Sequence, residues 1–271
     1  MTEAGSVTGS SLRPAYAATR VHLGIVAVLL ALAAVGWWWT AGEMRGMDNG
    51  PWTALGAFGW FLGVWVVMMA AMMFPSVSPT VALYASMSKS RALPVAFTAG
   101  YLTTWAAAGV GAFLIGLALT DAAHGALAWE SSGQPIAAAT LLVAAGYELT
   151  PLKDVCLGKC RSPLGTLLGS WRAGWAGAFR MGLGNGAWCF GCCWALMASL
   201  FALGVMSVTW MAVVAGLIAI EKTIPWPRVA TYGTTIVLVV LAVTMLVAPD
   251  ALPGLTVPGP SPMPSMSPMG S

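Results

Sequence analysis

Charge is what this sequence has least of. Only 8% of its 271 residues are Asp, Glu, Lys or Arg, where an ordinary soluble domain carries about 25%. With 58% of positions hydrophobic, that scarcity excludes a soluble globular chain and points to an integral membrane protein. Histidine is nearly missing, the two residues being His22 and His124. That argues against a histidine-built zinc site and against the paired intramembrane histidines of a b-type cytochrome. A phosphate-cradling glycine loop and a Ser/His/Asp set are both absent, so an ATP-driven pump is not expected. No nucleic-acid partner is expected either. A signal-peptide pattern is lacking too: "MTEAGSVTGSSLRPAYAATR" is a polar lead into a full-length apolar run. Residues 1–20 therefore read as a disordered tail.

What remains is long apolar runs. Taking roughly 20 apolar residues per crossing, the chain offers seven candidate spans: 21–40, 54–74, 95–119, 135–152, 183–205, 207–222 and 230–249. The fourth and sixth are short enough to be re-entrant. The expected fold is an all-α integral membrane bundle of about seven helices over residues 21–250. After it, residues 251–271 ("ALPGLTVPGPSPMPSMSPMGS") are rich in Pro, Ser and Gly and cannot build a core.

Orientation follows from Lys and Arg. With the N-terminus inside, Arg13, Arg20, Lys89, Arg91, Lys153, Lys159, Arg161, Arg172, Arg180, Lys222 and Arg228 all fall on the cytoplasmic side, and only Arg45 falls outside. The positive-inside rule thus predicts a cytoplasmic N-terminus, an external C-terminus and a multi-pass protein of the bacterial inner membrane.

Sulfur is the other abundant element. The stretch "WVVMMAAMMFPSVSP" places Met68, Met69, Met72 and Met73 in two overlapping i, i+4 pairs on one helical face, before Pro75 and Pro79. Pro75 lacks an N–H and is expected to end or kink that helix. Five cysteines come in two groups. "DVCLGKCRSP" holds Cys156 and Cys160, and "GAWCFGCCWALM" holds Cys189, Cys192 and Cys193. In the predicted topology all three sulfur groups lie near the cytoplasmic leaflet. Thiolates and thioethers are soft ligands that select Cu(I), or Zn(II) where thiolates dominate. Met44 and Met47 in the first outer loop, and Met263, Met266 and Met269 in the tail, add thioethers outside. Glu148 and Glu221 are intramembrane acids, each a candidate accessory ligand, proton acceptor or salt-bridge partner. Asn185 and the glycines beside it, in "RMGLGNGAW", suit a close helix approach.

Three readings stay open on these residues. The first is a soft-metal protein, Cu(I) before zinc, serving transport, delivery or homeostasis, with the lipid bilayer and a metal-accepting protein as partners. The second is a thiol oxidoreductase built on the C-x-x-C of Cys189 and Cys192. Its thiols would face the reducing cytoplasm, where a lasting disulfide is disfavoured. The third is an accessory subunit whose Gly-rich helices pack into a larger membrane complex. Any one Cys or Met taken alone is as well explained by packing.

The blocks "WVVMMAAMMFPSVSPTVALY", "YELTPLKDVCLGKCRSPL" and "GAWCFGCCWALMASLFALGVMSVTWMAVVAGLIAIEK" resemble a bacterial family of predicted metal-binding integral membrane proteins, domain of unknown function 2182. The likeness covers roughly residues 40–245. It implies family positions at Met68, Met69, Met72, Met73, Pro75, Pro79, Tyr84, Tyr147, Pro151, Lys153, Cys156, Cys160, Arg161, Cys192, Cys193, Trp194 and Glu221. Two departures stand out: Glu148 where the family pattern has glutamine, and Asn185 in a region where other members often carry histidine.

Overall fold

The computed structural model describes residues 12–43, 58–88, 90, 92–123, 129–203, 207–248 and 251. Among these residues every element is helical: α1 (Leu12–Glu43), α2 (Phe58–Met87), α3 (Leu93–Ala123), α4 (Trp129–Glu148), α5 (Pro151–Arg161), α6 (Pro163–Gly169), α7 (Gly174–Leu203), α8 (Val208–Thr223) and α9 (Pro227–Val247). Met44, Met47 and the methionines of the tail lie outside the described residues.

Among the described residues, five segments are long and apolar enough to cross a membrane: Leu23–Glu43, Phe58–Met87, Leu93–Ala118, Gly174–Leu200 and Pro227–Val247. A sixth arises if Gln134–Glu148 and Pro151–Arg161, bent by 67°, count as one broken span. The remaining expected span, 207–222, is α8, which has 16 residues. At about 1.5 Å per residue it is shorter than a hydrocarbon core of about 30 Å.

Proline explains the bend between α4 and α5. Pro151 has no N–H to offer the carbonyl of Tyr147, and its ring crowds that oxygen. The hydroxyl of Thr150 bonds the Tyr147 carbonyl instead, at 2.7 Å. The same hydroxyl oxygen accepts from the backbone N–H of Lys153 at 3.3 Å, capping the start of α5. One turn of chain thus stops one helix and starts the next.

Proline acts differently in α2. Of the two outcomes expected at Pro75, an end or a kink, the helix does not end there; it continues to Met87 with Pro75 and Pro79 inside it. Pro79 leaves the carbonyl of Pro75 without its helical donor, and the Ser78 hydroxyl donates to that oxygen at 3.0 Å. A hydroxyl that replaces a missing amide is what makes proline tolerable within a membrane helix.

The centre of the bundle is α7, of whose span 56% is buried, against 22% for the spans in α1 and α3. Glycine sets its place. A Cβ on Gly182 would run into the carbonyl oxygen of Phe97, and one on Gly100 into that of Phe179. A Cβ on Gly186 would sit 2.7 Å from Thr104 Oγ1. Backbones therefore touch where α3 and α7 cross, the close approach expected of small residues in membrane bundles. Gly184, by contrast, faces open space.

Gly182→Val should lower the stability of the detergent-solubilised protein by about 1–3 kcal/mol through overpacking. Gly184→Ala should change it by less than about 0.5 kcal/mol. Thermal unfolding measured by circular dichroism separates the two, and equal midpoints would contradict the glycine contact.

Candidate metal centre

Five helices converge on one group of sulfur atoms. Cys189 is buried on α7, and its Sγ lies 3.9 Å from Met73 Sδ of α2. The hydroxyl of Tyr101, on α3, is hydrogen-bonded to the same sulfur at 3.1 Å. From the end of α8 the ammonium of Lys222 donates to it at 3.1 Å, and to Ser76 Oγ of α2 at 3.2 Å. Cys160, on α5, completes the group by placing its Sγ 3.6 Å from that of Cys192.

The result is a triangle of thiols. The Sγ atoms of Cys160, Cys189 and Cys192 all lie within 4.8 Å of one another. A metal held at about 2.3 Å by three sulfurs would space them about 4 Å apart. One side of the triangle, Cys160 to Cys192, is 3.6 Å, close to that spacing. Beside it a small cavity is bordered by Ser76, Val77 and Thr80 of α2, Tyr101, Cys160, Asn185, Cys189 and Lys222. Its free space for a water-sized sphere is ≈ 10 Å³, at the lower limit for one water or one bare ion.

The other expected sulfurs are placed differently. Cys193 turns its thiol onto the Cys189 carbonyl at 2.9 Å, and Cys192 also reaches that carbonyl, at 3.1 Å. Cys156 is buried against Gly191, where an added Cβ would lie 2.7 Å from its Sγ. Met68, Met69 and Met72 are buried in the helical core, and the sulfur contact from α2 to the cysteines is made by Met73. The i, i+4 pattern therefore marks a buried face as a whole, of which one thioether meets the thiols.

Glu148 is brought to a cation rather than to the thiols. It forms an ion pair with Lys153 Nζ, which also donates to Glu221 Oε2 at 2.7 Å. All three residues are no more than 2% exposed. Arg161, next to Cys160, donates to the carbonyls of Glu221 at 3.0 Å and of Ile224. These contacts tie the last turn of α8, and with it Lys222, to the end of α5 that carries Cys160.

Reading the sequence alone missed Lys222 and Tyr101. Lys222 was legible only as an interfacial charge closing an apolar run, and Tyr101 only as one aromatic in a Gly- and Ala-rich helix. Neither carries a local pattern, because each meets Cys189 across more than thirty residues of chain.

Geometry predicts which disulfide forms when the protein is oxidised mildly. Cys192 points at Cys160, whereas Cys189 and Cys192 share one helix, with Cys192 turned onto the Cys189 carbonyl. Peptide mass mapping should find the Cys160–Cys192 bridge. A Cys189–Cys192 bridge would contradict the placement and favour the C-x-x-C redox reading.

Comparison with known families gives one result. Residues 62–245 match the family model PpoB2, described as copper chaperone. No curated protein and no solved structure matches the chain. The matched region runs from within the first turns of α2 through most of α9, and so reaches every helix that lends a side chain to the thiol triangle. With well over half of its length inside that match, this chain belongs to the PpoB2 family of copper chaperones.

Proposed function

We propose that this protein takes up Cu(I) at the bacterial inner membrane and holds it on Cys160, Cys189 and Cys192 for delivery to a metal-accepting protein or a larger membrane complex. The observation that carries the reading is the buried triangle of three thiols with a thioether at its edge. Soft sulfur donors with no histidine or carboxylate among them suit Cu(I). Zinc suits the set less well, since it wants four tetrahedral ligands and, among the described residues, the group holds three thiols, with the next sulfur the thioether of Met73. Lys222 places a positive charge against the sulfurs and offsets the negative charge that thiolates bring into a poorly solvated site.

In this scheme Met44 and Met47, with the tail methionines, collect the ion outside, and Met68, Met69, Met72 and Met73 line its way along α2. Cys156 and Cys193 support the site by packing. Glu148 is committed to Lys153 and is not a ligand. The topology that goes with it has seven passes, the N-terminus in the cytoplasm and the C-terminus outside, with α8 as a short crossing. What supports it is the distribution of Lys and Arg. The metal-binding family whose motif blocks the chain resembles and the PpoB2 family are, in this reading, the same group of proteins.

The oxidoreductase alternative gains nothing from the geometry. Cys189 and Cys192 are both buried, and a dithiol that exchanges with a partner must be reached by it.

Metal analysis of reduced, detergent-purified protein after Cu(I) loading tests the proposal. Wild type should hold about one copper per chain, as expected where three soft ligands form one site. Cys160→Ser and Cys192→Ser should lose it, and Cys156→Ala and Glu148→Gln should keep it. Met73→Leu should keep the stoichiometry and weaken affinity by about tenfold. Copper retained by the Cys160 and Cys192 variants, or absent from wild type, would overturn the reading.

A further inference from the structure

The bend between α4 and α5 holds a charge imbalance that the copper site does not use. Glu148 ends α4, Lys153 begins α5 and Glu221 comes from the last turn of α8. The three form one cluster in which a single ammonium meets both carboxylates: Glu148 through Oε2, and Glu221 Oε2 at 2.7 Å. Their exposures are 1%, 0% and 2%. Two acids and one base leave one negative charge in excess, and a net charge buried in a membrane protein costs several kcal/mol.

Among the described residues no second cation forms an ion pair with either carboxylate. Arg161 directs its guanidinium to the main-chain carbonyls of Glu221 and Ile224. Lys222 adjoins Glu221 in sequence but turns the other way, to Cys189 and Ser76. Asp154 and Lys159 of α5 are exposed, as are Arg180 of α7 and Arg228 and Tyr232 of α9. The other titratable groups nearby are Tyr147, whose hydroxyl donates to the Gly191 carbonyl at 2.5 Å, and the buried cysteines Cys156 and Cys192. Meanwhile Glu148 Oε1 and Glu221 Oε1 are buried and have no hydrogen-bond partner among the described residues. Buried carboxylate oxygens left in that state are the exception in folded proteins and call for a hydrogen-bond donor.

We infer that the Glu148–Lys153–Glu221 cluster is a binding site for one exchangeable proton, carried by the two carboxyl groups as a pair. Two carboxylates on one ammonium cannot both stay ionised without a further cation, and a proton is the smallest that restores neutrality. The cavity beside the thiols lies on the Lys222 side and is bordered by none of the three cluster residues. The site is therefore independent of the metal, although both sites meet at α8. Glu221 serves the carboxyl pair and Lys222 the thiols, so consecutive residues belong to the two sites.

The test is infrared spectroscopy of the metal-free protein in lipid nanodiscs at neutral pH. Wild type should show the carbonyl stretch of an un-ionised carboxyl group, shifted when the glutamates are labelled with carbon-13. Glu148→Gln and Glu221→Gln should each abolish it, because a single carboxylate is neutralised by Lys153. Lys153→Met should keep the band and raise it towards about twofold, with both acids then uncompensated. If the variants fold poorly, the labelled wild-type spectrum decides alone. Absence of a labelled carboxyl band overturns the inference, as does a band that survives both glutamine substitutions. A band that disappears on adding sodium or potassium chloride assigns the site to an alkali ion and overturns it too.

Discussion

The sulfur cluster depends on how closely α7 lies against α3. Tyr101 can bond Cys189 only because Gly100, Gly182 and Gly186 let the two backbones come together. Any side chain there would lift α7 away and carry Cys189 and Cys192 with it. Such contact is favoured in a bilayer, where helices gain nothing from hiding apolar surface from lipid and associate through packing and hydrogen bonds. That crossing fixes the other partners: Met73 and Ser76 from α2, Cys160 from α5 and Lys222 from α8 meet the face that α7 turns inward.

A second constraint is the rule that buried backbone must find its donors within the protein. At Pro79 and at Pro151 a hydroxyl one residue earlier in the chain donates to the carbonyl that the proline leaves free. In α2 this keeps a long helix whole, so that Met73 and Ser76 stay on one rigid element beside the thiols. Between α4 and α5 the same device accompanies a 67° turn, which brings Cys160 back against α7 and sets Lys153 between Glu148 and Glu221. Identical local chemistry gives a continuous helix in one place and a corner in the other. The difference is that α2 supplies helical residues on both sides of Pro79, whereas Thr150 is extended and caps a new helix.

Much of the fold was legible because membrane helices write themselves as apolar runs, and five of the expected spans are helices of crossing length. The convergence of cysteines with the end of the methionine run was legible too, since the topology expected from the sequence puts them at one depth. Which cysteines meet was not. The spacing of Cys156 and Cys160 makes them equivalent on one face, yet Gly191 receives the first and only the second reaches Cys192. Glu148 stayed open between accessory ligand, proton acceptor and salt-bridge partner, because an intramembrane acid has no local sign of its partner. That partner, Lys153, was visible only as a residue near a helix end. The continuity of α2 through Pro75 was hidden because a proline lacks the N–H of the helical ladder, and nothing in the run itself shows that the helix goes on to Met87.

The account rests on the claim that copper is held by sulfur alone, on three thiols that the fold gathers before the metal arrives. X-ray absorption at the copper edge of the Cu(I)-loaded protein measures this directly. The account predicts a first shell of sulfur only, at a distance of about 2.3 Å, close to that of metal–thiolate bonds. A shell containing nitrogen or oxygen would contradict it, and would move the site away from Cys160, Cys189 and Cys192.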